Sequence, residues 1–162
     1  MAGKLIIICG LPGSGKTTHA KALERSLGAV RLCADEWMDA LNQSLWDESA
    51  RAKVEALQWT FAERLLTIGQ TVLNEWGTWA RAERDELREG ARALGAKVEL
   101  HYLSEPVDVL FERLYRRRME QPPITREQLD AWAKALDVPT KEEAELYDLF
   151  WSNDPALTSD QA

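Results

Sequence analysis

Residues 10–17 read Gly10-Leu11-Pro12-Gly13-Ser14-Gly15-Lys16-Thr17, directly after an apolar run at residues 5–9. The spacing is that of the P-loop, G-x-x-x-x-G-K-[ST], in which backbone N–H groups surround phosphate oxygens. A helix-compatible stretch follows, and its N-terminus adds the positive end of a helix dipole. The alternative is a chance glycine-rich turn, which the full spacing and the preceding strand disfavour. The stretch therefore predicts a nucleotide-binding site at the end of the first strand.

The predicted nucleotide site uses the whole loop. Lys16 is expected to reach the β- and γ-phosphates, and Thr17 offers a hydroxyl to the Mg²⁺ that accompanies a nucleoside triphosphate. ATP and Mg²⁺ are therefore the expected cofactors, with Thr17 as the metal ligand. The predicted cofactor-binding residues are Gly10, Pro12, Gly13, Ser14, Gly15, Lys16, Thr17 and Thr18.

The composition limits the partners of such a site. The chain has 162 residues, 20 Lys and Arg against 27 Asp and Glu, and a net charge of -7. No overall positive field therefore attracts nucleic acid or an anionic membrane. Cys9 and Cys33 lie in apolar runs and are interpreted as small core residues of a reducing compartment. No apolar run approaches the ~18 residues of a membrane span, so a cytoplasmic location is expected.

Short apolar runs alternate with longer stretches of helical periodicity, which predicts βαβ units, an α/β fold and a mainly parallel sheet. We expect strands at residues 4–9, 29–33, 71–73 and 97–103, with an edge strand at 147–151. Helices are expected at 16–27, 49–68, 107–119 and 126–136, and a further helix begins at a Thr78 cap and continues to 94. Residues 1–155 are predicted to form one domain, and 156–162 a frayed tail.

Several residues beyond the loop suggest a family. Asp35 follows the second strand, arginines cluster at Arg113, Arg116, Arg117 and Arg118, and Pro139-Thr140 is followed by Glu143. With the P-loop, these features resemble the small P-loop kinases of the zeta-toxin, chloramphenicol phosphotransferase and polynucleotide kinase group. The resemblance implies a three-layer αβα sandwich with strand order 2-3-1-4-5 and an Arg-rich helical lid. It also implies that ATP binds on the P-loop and that its γ-phosphate is transferred to an acceptor hydroxyl.

Phosphoryl transfer needs a charge clamp and a carboxylate near the acceptor hydroxyl. We predict Lys16, Asp35, Arg113 and Arg117 as the catalytic residues. Asp35 would accept the hydroxyl proton or orient the hydroxyl, and a helix N-cap is its structural alternative. Arg113 and Arg117 lie one helical turn apart, so they project to one side of a lid helix. Simple pairing with Glu112 and Glu120 is the alternative for these arginines.

The end of the third strand departs from the usual pattern. Many P-loop enzymes carry an Asp there for Mg²⁺ or its water, and this chain has Asn74. Glu75 would face the other side of a regular strand unless the chain bends. We therefore favour Asn74 as a hydrogen-bonding partner of the substrate, without a metal role.

The acceptor pocket is expected between the helix after the second strand and the third strand, where aromatic walls suit a ring or sugar acceptor. Core packing is the commoner explanation for any single Trp, and Arg81 and Arg84 are rim candidates or surface residues. His19 and His101 are interpreted as structural. The predicted substrate residues are Asp35, Trp37, Met38, Trp46, Arg51, Asn74, Trp76 and Trp79.

The leading hypothesis is an ATP-dependent O-phosphotransferase acting on a small hydroxylated metabolite or antibiotic-like molecule, as a monomer or homodimer. A polynucleotide 5′-hydroxyl kinase is a second hypothesis. The charge disfavours it, and so does Met38, which stands where such kinases often have an Arg. A third hypothesis is a switch module that hydrolyses ATP slowly.

Overall fold

The computed structural model describes residues 1–158, and these form a five-stranded sheet with helices on both faces. Every neighbouring pair of strands is parallel, and their order is β2-β3-β1-β4-β5. The α/β class and the expected order are both confirmed. The strands are β1 (Lys4–Cys9), β2 (Val30–Leu32), β3 (Thr71–Asn74), β4 (Lys97–Tyr102) and β5 (Leu149–Ser152).

The helices follow the predicted alternation, with shorter segments near the end of the described chain. Helix α1 ends where Gly28 adopts the left-handed φ of 60° that glycine tolerates. The bounds are α1 (Lys16–Leu27), α2 (Ala34–Ala40), α3 (Glu48–Thr67), α4 (Arg81–Ala93), α5 (Val107–Arg117), α6 (Arg126–Ala135), α7 (Lys141–Ala144) and α8 (Pro155–Thr158). Within residues 1–158, no helix is long and apolar enough to cross a membrane.

Strand β1 is the centre of the core, and its residues 5–9 are fully buried on both faces of the sheet. Leu5 and Ile7 pack with Leu66 of α3 and Leu87 of α4, whereas Ile8 packs against α1 on the opposite face. Each such side chain contributes about 1.5–3 kcal/mol when it is fully removed from water. The alternation along one continuous apolar strand therefore produces the three-layer sandwich.

The start of α4 corrects one expectation. Thr78 does not cap this helix, which begins at Arg81 after Ala80. The Glu83 carboxylate accepts the backbone N–H of Ala80 and so closes the first turn. Thr78 is instead a buried residue with a φ of 43°. The sequence signal was wrong because Arg84 binds the carbonyls of Thr78 and Trp79 and so shapes the loop through a tertiary contact.

The end of the chain also differs in detail. Strand β5 begins at Leu149 rather than at residue 147, and Tyr147 is a core residue before it. Of the predicted frayed tail at 156–162, residues 156–158 complete helix α8, and Leu157 packs against the core. Residues 159–162 lie outside the described part of the chain.

Candidate nucleotide and acceptor site

A cleft of about 1880 Å³ opens at the carboxyl ends of the central strands. Its lining comes from the P-loop, the end of α5, α3, the loop after β3 and the start of α4. In open α/β sheets ligands bind at this edge, where the strand order reverses. The fold therefore places the nucleotide loop and a second binding surface in one continuous cleft.

The P-loop turns directly after β1, and glycine is needed where the backbone is crowded. A Cβ atom on Gly10 would lie 2.7 Å from the carbonyl oxygen of Leu103. The Lys16 ammonium donates to the carbonyl oxygens of Gly10 at 2.8 Å and Leu11 at 3.0 Å. Burial lowers the pKa of Lys16, and the negative charges of Glu75 and Asp35 oppose that shift. The predicted loop residues from Pro12 to Thr18 line the cleft, whereas Gly10 lies just outside it.

Glu75, not Asn74, reaches the P-loop at the end of β3. The Asn74 side-chain oxygen accepts the backbone N–H of Trp76 at 3.2 Å, and this local bond bends the chain after the strand. Glu75 therefore turns into the cleft, where it accepts a hydrogen bond from the Thr17 hydroxyl. Arg31 pairs with the same carboxylate at 2.7 Å. Asn74, expected as a substrate residue, is 1% exposed and does not line the cleft, so we leave it out of the proposed acceptor site.

The pair formed by Thr17 and Glu75 suits a hard cation. Magnesium prefers oxygen ligands and usually takes only one or two from the protein, with the rest from substrate phosphates and water. Among the described residues, no cluster of three or more His, Cys, Asp or Glu side chains could hold a metal alone. The residues present therefore fit a nucleotide-bound Mg²⁺.

Asp35 lines the same cleft as the P-loop, in the first turn of α2. The N-cap of this helix is Cys33, so the capping alternative does not describe Asp35. Arg51 of α3 donates to one Asp35 oxygen at 2.6 Å. This ion pair holds the carboxylate in place through one of its two oxygens.

The two predicted lid arginines face the cleft from α5. Arg113 donates to the carbonyl oxygen of Gly13 at 3.0 Å, and Arg117 pairs with Glu120 at 2.7 Å. Both line the cleft, so Arg117 pairs with Glu120 and lines the cleft at the same time. The other two arginines of the cluster point away: Arg116 is paired with Glu112 and Arg118 lies over the ring of Tyr115.

The aromatic wall of the cleft is only partly the predicted one. Of the expected substrate residues, Asp35, Trp46, Arg51, Trp76 and Trp79 line the cleft. Trp37 and Met38 do not: Trp37 packs against two core clusters and Met38 is fully buried. Period-3.6 spacing on α2 turns these two side chains toward the sheet and α3.

Two further tryptophans complete the wall, and the sequence analysis missed both. Trp59 comes from the middle of α3 and Trp132 from α6. The Trp132 ring lies 5.4 Å from that of Trp79 and 6.1 Å from that of Trp46. The position of a tryptophan along a helix does not show whether its ring lines the cleft or lies in the core. That depends on which other elements pack against the helix.

Arg84 is a buried residue that holds the loop after β3, and it does not lie at the rim of the cleft. Its guanidinium is fully buried and pairs with both oxygens of Glu143, at 2.7 and 2.9 Å. It also donates to the carbonyl oxygens of Thr78, Trp79 and Asp137. All five guanidinium N–H groups are therefore used, and the cleft loop after β3 is fixed to the core.

His19 and His101 form a hydrogen-bonded pair at the edge of the cleft, which His19 lines. Their Nε2 and Nδ1 atoms share a hydrogen bond of 2.8 Å, and His19 stacks on Trp151 of β5 at a ring distance of 4.4 Å. Burial, with the neighbouring His19, lowers the pKa of His101 to about 4.

The parallel sheet, the P-loop and the lid arginines define an ATP-binding P-loop kinase of small size. The chain belongs to the AAA domain family AAA_33, which matches residues 5–139.

Three known proteins illustrate the likeness. Gluconokinase of Arabidopsis thaliana is 28% identical in an alignment of 134 residues that covers 75% of this chain and 70% of that protein. A Chloroflexus aurantiacus structure, provisionally described as a kinase, has a TM-score of 0.73 at 23% identity, covering 100% of this chain and 92% of its own. Kti12 of Chaetomium thermophilum, solved in complex with ADP-AlF3, has a TM-score of 0.69 at 20% identity, covering 96% and 93%. At these identities the two structures support the fold.

Proposed function

We propose that this P-loop kinase transfers the γ-phosphate of ATP to a hydroxyl group of a small molecule. One observation carries the proposal: the P-loop, the Asp35 carboxylate and a tryptophan-lined pocket share a single cleft. The likeness to a gluconokinase supports a small acceptor, because that protein is named for a small-molecule acceptor. We place the whole activity in residues 1–155.

Asp35 is the proposed acceptor-side carboxylate. As the acceptor oxygen bonds to the γ-phosphorus, the bond from phosphorus to the bridging oxygen of ADP breaks and ADP leaves. The proton of the acceptor hydroxyl passes to the unpaired oxygen of Asp35. Arg51 keeps that carboxylate oriented through its 2.6 Å contact with the other oxygen.

The phosphate side of the cleft supplies positive charge. Lys16 is proposed to leave its two carbonyl partners for the β- and γ-phosphates, because a charged acceptor is a stronger partner for an ammonium group. Arg113 and Arg117 would neutralise the charge that spreads over the transferring phosphoryl oxygens. Gly10 has no side chain, so the start of the P-loop can lie close to the Leu103 carbonyl oxygen and keep its compact conformation.

Thr17 and Glu75 are the proposed magnesium residues, Thr17 as a direct ligand and Glu75 directly or through water. The ion would neutralise charge on the β- and γ-phosphates. The ion pair with Arg31 holds the Glu75 carboxylate in place. The positive charge of Arg31 also offsets the negative charge of the carboxylate, so that the site does not repel ATP.

The test is transfer of labelled γ-phosphate from ATP into a library of hydroxylated small molecules, with 5′-hydroxyl oligonucleotides in parallel. We expect label in small molecules, a loss of about a hundredfold or more in Asp35→Asn, and unchanged ATP binding. Asp39→Asn is the matched control, because Asp39 is an exposed residue of the same helix outside the cleft. Lys16→Ala should abolish turnover.

Three results would contradict the proposal. Label in the oligonucleotides instead would favour a polynucleotide kinase. Phosphate release without transfer would favour a switch module. Full activity of Asp35→Asn would remove this carboxylate from the reaction.

A further inference from the structure

The acceptor side of the cleft is strongly acidic. We call the acceptor half those cleft residues that come from α3, the loop at 76–80 and α4. Its carboxylates are Glu48, Glu55, Glu83 and Glu86. Among the described residues that line this half, Arg51 is the one cation, and Asp35 already binds it at 2.6 Å.

Glu55 is the carboxylate at the centre of this charge. It is half-buried on α3, its contact with Arg51 is long at 3.9 Å, and both Glu83 and Asp35 act on it electrostatically. Burial raises the pKa of Glu55, and Arg51 opposes that shift while Glu83 and Asp35 add to it. Burial and the neighbouring negative charges both disfavour the ionised form of Glu55. A bound cation would stabilise that form.

The walls around these carboxylates are aromatic. Trp59, Trp76 and Trp79 line the same half of the cleft. Trp59 packs so closely on α4 that a Cβ on Gly90 would lie 2.7 Å from its ring. The faces of tryptophan rings attract cations, and a carboxylate next to them adds charge and a hydrogen-bond acceptor.

Thr78 provides a second, independent observation that points to a polar ligand. It lines the cleft, it is 6% exposed, and its hydroxyl has no hydrogen-bond partner in the described structure. Its backbone has a φ of 43°, which is unfavourable for a β-branched residue, and Arg84 holds its carbonyl. Buried hydroxyls are normally satisfied, so this one is suited to a polar group of the acceptor.

We propose that the acceptor is a hydroxylated amine, such as an amino sugar or amino alcohol, bound as a cation in the acceptor half. This inference rests on the proposed function and names its substrate class. The ammonium group would bind between Glu55 and Glu83 with tryptophan faces around it, while the hydroxyl points to Asp35. A sugar acid or an oligonucleotide would bring negative charge to four carboxylates, and the cleft therefore disfavours both.

The test uses molecules that share one carbon skeleton and differ in charge. Glucosamine is the cation, N-acetylglucosamine and glucose are neutral, and gluconate is the anion, with kanamycin as a larger amino sugar. Each is assayed for phosphate transfer from ATP, and each is titrated by tryptophan fluorescence, because five tryptophans line the cleft.

We expect transfer to the amines in preference to the neutral and anionic molecules. Glu55→Gln should raise the KM for the amine about tenfold or more and leave the KM for ATP unchanged. Glu89→Gln is the matched control, because Glu89 is an exposed residue of α4 outside the cleft. Thr78→Val keeps the branched shape without the hydroxyl and should also weaken acceptor binding selectively.

The two proposals fail in different ways. Equal or better transfer to glucose, N-acetylglucosamine or gluconate would overturn the amine inference and leave the kinase proposal standing. Absence of transfer to every molecule would count against the kinase proposal, and the titration would then decide the inference alone. The amine inference would be supported if the amines bind and Glu55→Gln weakens that binding. It would be overturned if the neutral and anionic molecules bind as tightly as the amines.

Discussion

Replacing Glu143 by Gln tests how the cleft is held to the core. Glu143 is 1% exposed and pairs with Arg84, which is fully buried. The Gln side chain has the same shape, but it removes the counter-charge and places an amide N–H₂ group against guanidinium donors. Three backbone carbonyls remain as partners of Arg84, and none of them carries a full negative charge.

Breaking a buried ion pair by removing one partner costs about 3–5 kcal/mol of unfolding free energy. For a chain of 162 residues each kcal/mol lowers the Tm by roughly 2–4 °C, so Tm should fall by about 6–20 °C. The loop at 76–80 should also loosen, because Arg84 holds two of its carbonyls. The KM for the acceptor is then expected to rise while the affinity for ATP stays constant.

Urea unfolding and calorimetry of Glu143→Gln measure the loss, with Glu145→Gln as the control at an exposed position of the same segment. The control should change the unfolding free energy by less than about 0.5 kcal/mol. A loss below about 1 kcal/mol in Glu143→Gln, with an unchanged m-value, would refute the reasoning that an uncompensated buried charge is created.

Two more predictions concern the nucleotide side of the cleft, and a third concerns the pH dependence of stability. Arg117→Ala should lower kcat more than it changes the KM for ATP, whereas Arg116→Ala, at a 77% exposed position, should leave both unchanged in steady-state kinetics. Glu75→Gln should raise the Mg²⁺ concentration needed for half-maximal activity, because it removes the carboxylate beside Thr17; an unchanged Mg²⁺ dependence would exclude this role. The pKa of His101 is lowered from 6.5 to about 4, so the unfolded state binds its proton first as pH falls. The stability due to this residue should be complete above pH about 6.5 and decline toward pH about 4, and His101→Gln should flatten that part of a pH series of urea unfolding curves.

Elements whose ends are determined by neighbouring residues in the sequence were predicted well. Helix α1 has the predicted bounds, because the P-loop before it and Gly28 after it are both local signals. The start of α4 was not predicted, because Thr78 carries the local chemistry of a cap while a distant arginine determines its conformation. The bend that turns Glu75 into the cleft also has a local cause, the hydrogen bond of the Asn74 side chain. It was not predicted because the side-chain alternation of a regular strand places Glu75 on the other face.

The sequence by itself determined the P-loop and the parallel sheet, since turn chemistry and hydrophobic periodicity depend on neighbours along the chain. The kinase class followed from the resemblance of these motifs to small P-loop kinases. Only the tertiary structure decided the acceptor half. Glu55 and Glu83 lie on different helices, and Trp132 reaches the cleft from a third. Whether such side chains share one partly buried volume depends on how helices pack on the sheet. Their combined charge, and the preference for a cation that follows from it, therefore exist only in the folded chain.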